Sequence, residues 1–167
     1  RPVETGEEDL RTEGAKLISE KFGVTSMPLA LLDRTSKSGG NPIYGKGEWV
    51  NTINQLITET PQANIASKVE YDNDHNKYRY DLEIELLEDI SENLVYTIAI
   101  LEDSIRVTQI NGSAHVADYP QLHVLRKYLT NATGSTLPNI NGATTYAKGT
   151  VIKKQILLDL DSKWKDS

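Results

Sequence analysis

The chain of 167 residues contains no cysteine, which excludes a disulfide framework, a thiolate metal site and a redox thiol within these residues. It also lacks any basic run. Its densest basic stretches are the pairs Arg126-Lys127 and Lys153-Lys154, set in a chain of net charge -6. Binding to nucleic acid needs a positive patch to neutralise phosphates, so no nucleic-acid partner is expected. Long apolar runs are missing too. A stretch such as Leu29-Ala30-Leu31-Leu32 is far short of the roughly 20 residues that a helical membrane span requires. Arg1-Pro2 has neither an initiating Met nor an apolar segment behind it, which reads as a fragment or a processed product rather than a signal peptide. There is no phosphate-binding glycine loop, no G-x-G-x-x-G, no G-x-S-x-G nucleophile elbow and no HExxH zinc motif.

What remains is the composition of a folded protein, 38% hydrophobic and 25% charged. Leu10, Gly14, Leu17, Ile18 and Phe22 recur at helical spacing. The pattern predicts a helix within residues 7–22, best begun at Thr12 and stopped by Gly23. Val24 to Asp33 reads as a short strand entered through Pro28. The Ser/Gly/Asn/Pro-rich residues 34–42 form a turn, and Ile43-Tyr44 pairs back as a hairpin. A second helix is expected over 47–59, with Trp49, Ile53, Leu56 and Ile57 as its apolar stripe and Pro61 as its limit.

Beyond Pro61 the period changes from 3.6 to 2. Ala63, Ile65, Val69 and Tyr71 are spaced as in a strand, and Asp72 to Asn76 form a polar turn. Tyr78, Tyr80, Leu82, Ile84 and Leu86 then alternate with Arg79, Asp81, Glu83 and Glu85, as in a strand with one wet face. Leu94 to Leu101 is apolar on both faces and reads as a central strand. Ile105–Ile110, His123–Leu129 and residues 150–160 are further strand candidates, and the set suggests a β-sandwich. The domain boundary falls near residues 60–63.

The order helix, strand opened by X-Pro, short strand, helix resembles the C-terminal half of a thioredoxin fold, carried by Phe22-Gly23-Val24-Thr25-Ser26-Met27-Pro28. The resemblance implies a cis Met27–Pro28 bond and makes Pro28 a structural cis-proline candidate. A second set of residues is Leu101-Glu102-Asp103-Ser104-Ile105, Gln109, His123 to Thr130 and Gly134. With them the chain resembles the outer-membrane-protein-28 family, exported proteins of Gram-negative anaerobes that join a thioredoxin-like domain to an immunoglobulin-like one. The implied fold is α+β: a partial thioredoxin-like domain over 1–62 followed by an immunoglobulin-like β-sandwich over 63–167. By the same resemblance a Cys-X-X-Cys pair and a lipoprotein export signal would lie before Arg1, and a further strand after Lys163.

Each candidate site has a structural reading beside the functional one. Asp72, Asp74, Asn76 and Glu83 have the spacing of calcium-loop ligands, but Lys77 stands where such a loop needs Gly, and a solvated hairpin turn is expected. His75, His115 and His123 share no ligand spacing, and His123 reads as part of a strand face. Glu102-Asp103 with Arg126 suggests a structural ion pair. Asn111-Gly112-Ser113 and Asn131-Ala132-Thr133 match the glycosylation triplet, which is common by chance. Eight tyrosines stand against one Phe. Tyr78 and Tyr80 share a face and, with Trp164, are the candidate ligand-facing aromatics.

No catalytic residue, cofactor or metal ligand is expected. The expected function is a non-catalytic binding, adhesion or structural role at the outer membrane or in the periplasm, with an unknown protein or glycan as partner. Membrane attachment would come only through a lipid anchor outside this segment. The loops Asn111–Gln121 and Asn131–Thr145 are the first candidate surfaces. The alternatives are a thiol–disulfide oxidoreductase whose cysteines lie upstream, and a carbohydrate-binding module.

Overall fold

The computed structural model describes residues 9–34, 40, 42–111, 114–137 and 145–159. It is mostly antiparallel β-structure with two short helices, an α+β chain. Two compact units are formed. One takes in the described residues up to Glu59 together with Tyr96–Ser135; the other takes in Thr60–Val95 and the described residues from Thr136. The first unit thus draws on chain from both sides of residues 60–63, and the second begins at Thr60.

In the first unit, helix α1 spans Glu13–Phe22. The Thr12 side chain accepts from Ala15 N at 3.1 Å, which satisfies one of the amides left over at a helix start. Gly23 ends the helix in the left-handed region (φ 65°). Its N–H donates to Glu20 O at 3.3 Å, and that of Val24 donates to Ser19 O at 2.8 Å. Strands β1 (Leu29–Leu31) and β2 (Ile43–Gly45) pair antiparallel, with Ala30 opposite Tyr44.

A 3-10 turn, Lys46–Glu48, leads into helix α2, Trp49–Leu56. Trp49 Nε1 donates to Tyr44 O at 3.0 Å, tying the helix start to β2. The expected apolar stripe of α2 is only partly covered: Trp49 and Leu56 are half-buried, whereas Ile53, Ile57 and the adjacent Val50 are exposed.

The second unit is organised by a three-stranded antiparallel sheet in the order β11-β4-β3, with β3 at Ala63–Asp72, β4 at Lys77–Leu86 and β11 at Val151–Leu158. Its core comprises Leu82, Ile84, Leu86, Ile90, Leu137, Tyr146 and Ile152. Tyr146 and Ile90 exchange backbone bonds of 2.7 and 2.8 Å, and the buried Tyr146 hydroxyl donates to Leu137 O at 2.8 Å. Two short strands, β5 (Val95–Tyr96) and β10 (Ser135–Thr136), pair with each other.

Three expectations are corrected. The apolar run Leu94–Leu101 is not one central strand. It divides into β5 and β6 (Ala99–Glu102), because the chain changes units at Val95/Tyr96 and the buried Ile98 bonds to Thr130 and Leu129 instead. Residues 114–121 are not a loop but strand β8 (Ala114–Gln121), paired with β7 (Ile105–Asn111) in a two-stranded ribbon. His123 does not lie on a strand face. It sits at φ 55° just before β9 (Val124–Tyr128), and its backbone N–H and Nδ1 both reach the Asp103 carboxylate.

Candidate functional site: the open face and edge of strand β3

Period-2 alternation sends the even-numbered residues of β4 to one face, and the register places their neighbours. Tyr71, Tyr78 and Leu158 lie in one row; Val69, Tyr80 and Ile156 in the next; then Ser67, Leu82 and Lys154; then Ile65, Ile84 and Ile152. All of these rows belong to a single face, yet its burial is uneven. Leu82 and Ile84 on β4 are each 5% exposed and Leu86 is 1% exposed. On β3, one strand away, Ile65 is 71% exposed, Val69 58% and Tyr71 49%. The apolar face is therefore covered over the lower part of β4 and β11 and open along β3.

Tyr78 and Tyr80 lie in the middle strand at the border of this open region, and both are half-buried. The Tyr71 and Tyr78 rings meet edge to face, with centroids 5.4 Å apart and planes at 73°. The Tyr71 hydroxyl donates to Asn76 Oδ1, fixing the ring over the hairpin turn. Trp164, the third candidate aromatic, lies outside the described residues. Tyr71 was legible only as a strand residue; its exposure, with that of Ile65 and Val69, depends on what covers the sheet.

The opposite face is a lattice of charge. Glu70 lies 2.5 Å from Lys68 and 2.6 Å from Arg79, Arg79 lies 2.9 Å from Asp81, and Lys153 lies 2.7 Å from Glu83. The Lys68 hydrogen bond, before all else, lowers the pKa of Glu70. Hydrogen bonds from Gln155, then Arg79, lower that of Asp81.

At the β3–β4 turn, Asp72 Oδ1 accepts from Asp74 N at 3.0 Å and His75 N at 3.2 Å. Its other oxygen lies 3.0 Å from His75 Nδ1, the main cause of a lowered Asp72 pKa. The calcium-like spacing is thus a hairpin turn whose first carboxylate closes the turn itself. Glu83 is drawn to Lys153 on the charged face. Among the described residues no group of three or more His, Asp or Glu is placed to hold a metal ion.

β3 is also an edge. Among the described residues no strand pairs with its outer side. The Leu87 N–H donates to Gln62 O at 2.8 Å in the β3–β4 register, so bonded pairs fall on the even residues of β3. The N–H and C=O groups of Ala63, Ile65, Ser67, Val69 and Tyr71 consequently turn outward.

Elsewhere, the Met27–Pro28 peptide is cis, with Met27 and Pro28 both exposed. An apolar groove next to it is lined by Met27, Leu29, Leu31, Ile18 and Leu125. Glu102 and Arg126 form a nearly buried ion pair at 3.2 Å in the first unit, remote in sequence from β3 and β4. Among the described residues no helix is long and apolar enough to cross a membrane.

A family model described as outer membrane protein Omp28 matches residues 15–162. No curated protein and no solved structure matches the chain. The matched span takes in both units, including β3, β4, the cis-proline turn and the Glu102–Arg126 pair. The chain belongs to the Omp28 outer membrane protein family, and it is a protein of the outer membrane or periplasm.

Proposed function

We propose that the chain is a non-catalytic binding and structural module that takes a protein partner on the open apolar strip of β3. The observation that carries this reading is the burial step across one sheet face, from 5% exposure at Ile84 to 71% at its cross-strand neighbour Ile65. An ordered apolar strip of this kind, carried on a paired strand whose other face is charged, has the make-up of a contact surface. Tyr78 and Tyr80 would border the contact, and Tyr71 would enter it.

The finer fold reading belongs here as well. Residues 1–62 are read as half of a thioredoxin-like domain, supported by the order α1, cis-Pro28, β1–β2, α2. Residues 63–167 are read as an immunoglobulin-like β-sandwich, supported by the antiparallel pairings of β3, β4 and β11, of β6 with β9 and of β7 with β8.

The test is a photo-crosslinking amino acid at residue 69, compared with one at residue 83 on the charged face, in the full-length protein within envelope preparations. Discrete protein adducts from 69 and none from 83 are expected. Equal adducts from both faces, or none from 69, would sink the reading. Adducts carried by glycan, with glycan binding lost in Tyr71→Ala and Tyr78→Ala, would convert it to a carbohydrate-binding one. Turnover of a disulfide substrate by the full-length protein would favour the oxidoreductase alternative.

A further inference from the structure

We infer that the partner of β3 is a second copy of the same strand, paired antiparallel edge to edge about a two-fold axis at Val69. The inference rests on the reading of β3 as the contact surface and adds the occupant. Three observations meet here: an edge of ten residues that no strand pairs among the described residues, outward peptide groups on the odd positions, and opposite charges flanking Val69.

In an antiparallel pair, residues directly opposite share a face, so self-pairing can be centred on only a few residues. Centred on Lys68 or Glu70, it sets like charges against each other. Centred on Ser67, it sets Lys68 against Ala66 and Glu70 against Asn64, leaving both charges without a partner across the seam.

Centred on Val69, it sets Lys68 of each copy against Glu70 of the other, twice over. Val69 meets Val69, and Ser67 meets Tyr71. Because odd residues turn their peptides outward, the Val69–Val69 and Ser67–Tyr71 pairs are the ones that exchange N–H···O bonds. The Lys68–Glu70 pairs then fall at the non-bonded positions, where opposing side chains come closest. The axis stands perpendicular to the sheet, so both open apolar strips end on the same side of a continuous six-stranded sheet. Among the described residues β11 offers the other unpaired edge, but its apolar residues Ile152, Ile156 and Leu158 are buried or half-buried, so its face is already covered.

The experiment uses the full chain in sedimentation equilibrium. The wild type is expected to dimerise. Lys68→Glu and Glu70→Lys should each weaken the dimer about tenfold or more, since each places like charges opposite each other twice. A 1:1 mixture of the two variants should restore it. One copy then carries carboxylates at both flanking positions and the other carries ammonium groups at both, so every pair across the seam is again of opposite sign. That rescue also shows both variants folded. Val69→Pro removes an outward donor without touching the β4 ladder and should abolish the dimer. A monomeric wild type, a mixture that stays monomeric, or a dimer lost in Gln155→Pro on β11 but kept in Val69→Pro would each overturn the inference. Adducts from residue 69 to another protein, with a monomeric wild type, would sink the self-pairing and leave the contact surface standing; a monomer with no adducts would sink both.

Discussion

Removing one member of the Glu102–Arg126 pair should destabilise the first unit far more than removing both. The Arg126 Nε lies 3.2 Å from Glu102 Oε2, and the two side chains are only 10% and 12% exposed. The pair spans β6 and β9 at a bulge. Glu102 faces Val124, Leu101 faces Leu125 and Ile100 faces Lys127, which leaves Arg126 as the extra residue. At this burial, screening by water is slight. Arg126→Met takes the guanidinium from a nearly buried carboxylate and Glu102→Leu takes the carboxylate from a nearly buried guanidinium, each at a cost of about 3–5 kcal/mol. For a chain of this length, 3 kcal/mol corresponds to a fall in Tm of roughly 6–12 °C.

The double variant Glu102→Leu/Arg126→Met removes both desolvation penalties along with the attraction. It should lie within about 1 kcal/mol of the wild type, or above it. Urea unfolding followed by Trp49 fluorescence, in a Trp164→Phe background, reads the unit that holds the pair. Two results would refute the reasoning: single variants that cost no more than an exposed ion pair, or a double variant whose loss equals the sum of the singles.

Gly14→Ala should destabilise despite the higher helix propensity of Ala. A Cβ at residue 14 would fall 2.8 Å from Tyr128 Cε2 and nearer still to Cδ2. Overpacking of about 1–3 kcal/mol outweighs a gain of about 0.5–1 kcal/mol, and thermal unfolding in a Tyr128→Ala background should reverse the sign. Leu86→Ala should cost about 2–5 kcal/mol, while Ile65→Ala on the same face should cost little; equal losses in denaturant would mean that β3 is covered.

Glu70, Asp72 and Asp81 have folded pKa values below their ordinary 4.5, 3.8 and 3.8. The stability they contribute is complete above those values and is lost as pH falls through the lowered folded ones. Carboxyl-carbon NMR titration should place all three midpoints below the ordinary values, and Asp81→Asn should flatten the acid limb of the stability curve; midpoints at the ordinary values would contradict the charge lattice.

Much of the fold was readable because local chemistry decides it. Thr12 and Gly23 delimit α1 by capping its ends, and Tyr78 to Leu86 declare β4 by alternation. What could not be read depends on coverage. Ile65, Val69 and Tyr71 carry the same alternation as Leu82, Ile84 and Leu86, and period 2 says which residues share a face but not whether anything lies on it. The candidate site was therefore half legible, as Tyr78 and Tyr80 without the strand that exposes it. Continuous apolarity from Leu94 to Leu101 suggested burial on two sides, where the chain in fact changes units. Ala114 to Gln121 is hard to read for the opposite reason: β8 is exposed on both faces over nearly its whole length, so it has no core face and no alternation to reveal it. Gly14 falls in the helical stripe of α1 by its spacing, but its role comes from a tyrosine more than a hundred residues away.

A long open edge is ordinarily a hazard, and a lysine in its middle is the usual guard. Lys68 fits that description only when it is taken alone. Its neighbour on the charged face, two residues on, is Glu70, and the pair turns a general repulsion into a choice of register. Moving the axis by one residue, a slip of two residues between the strands, brings two lysines or two glutamates together, whereas the Val69 register matches both charges. The resulting contact is isologous: each copy uses its whole free β3 edge against the other, leaving no β3 edge to recruit a third chain. Pairing of β3 with β11 of another copy would instead be heterologous, growing into an open filament unless its rotation closed a ring.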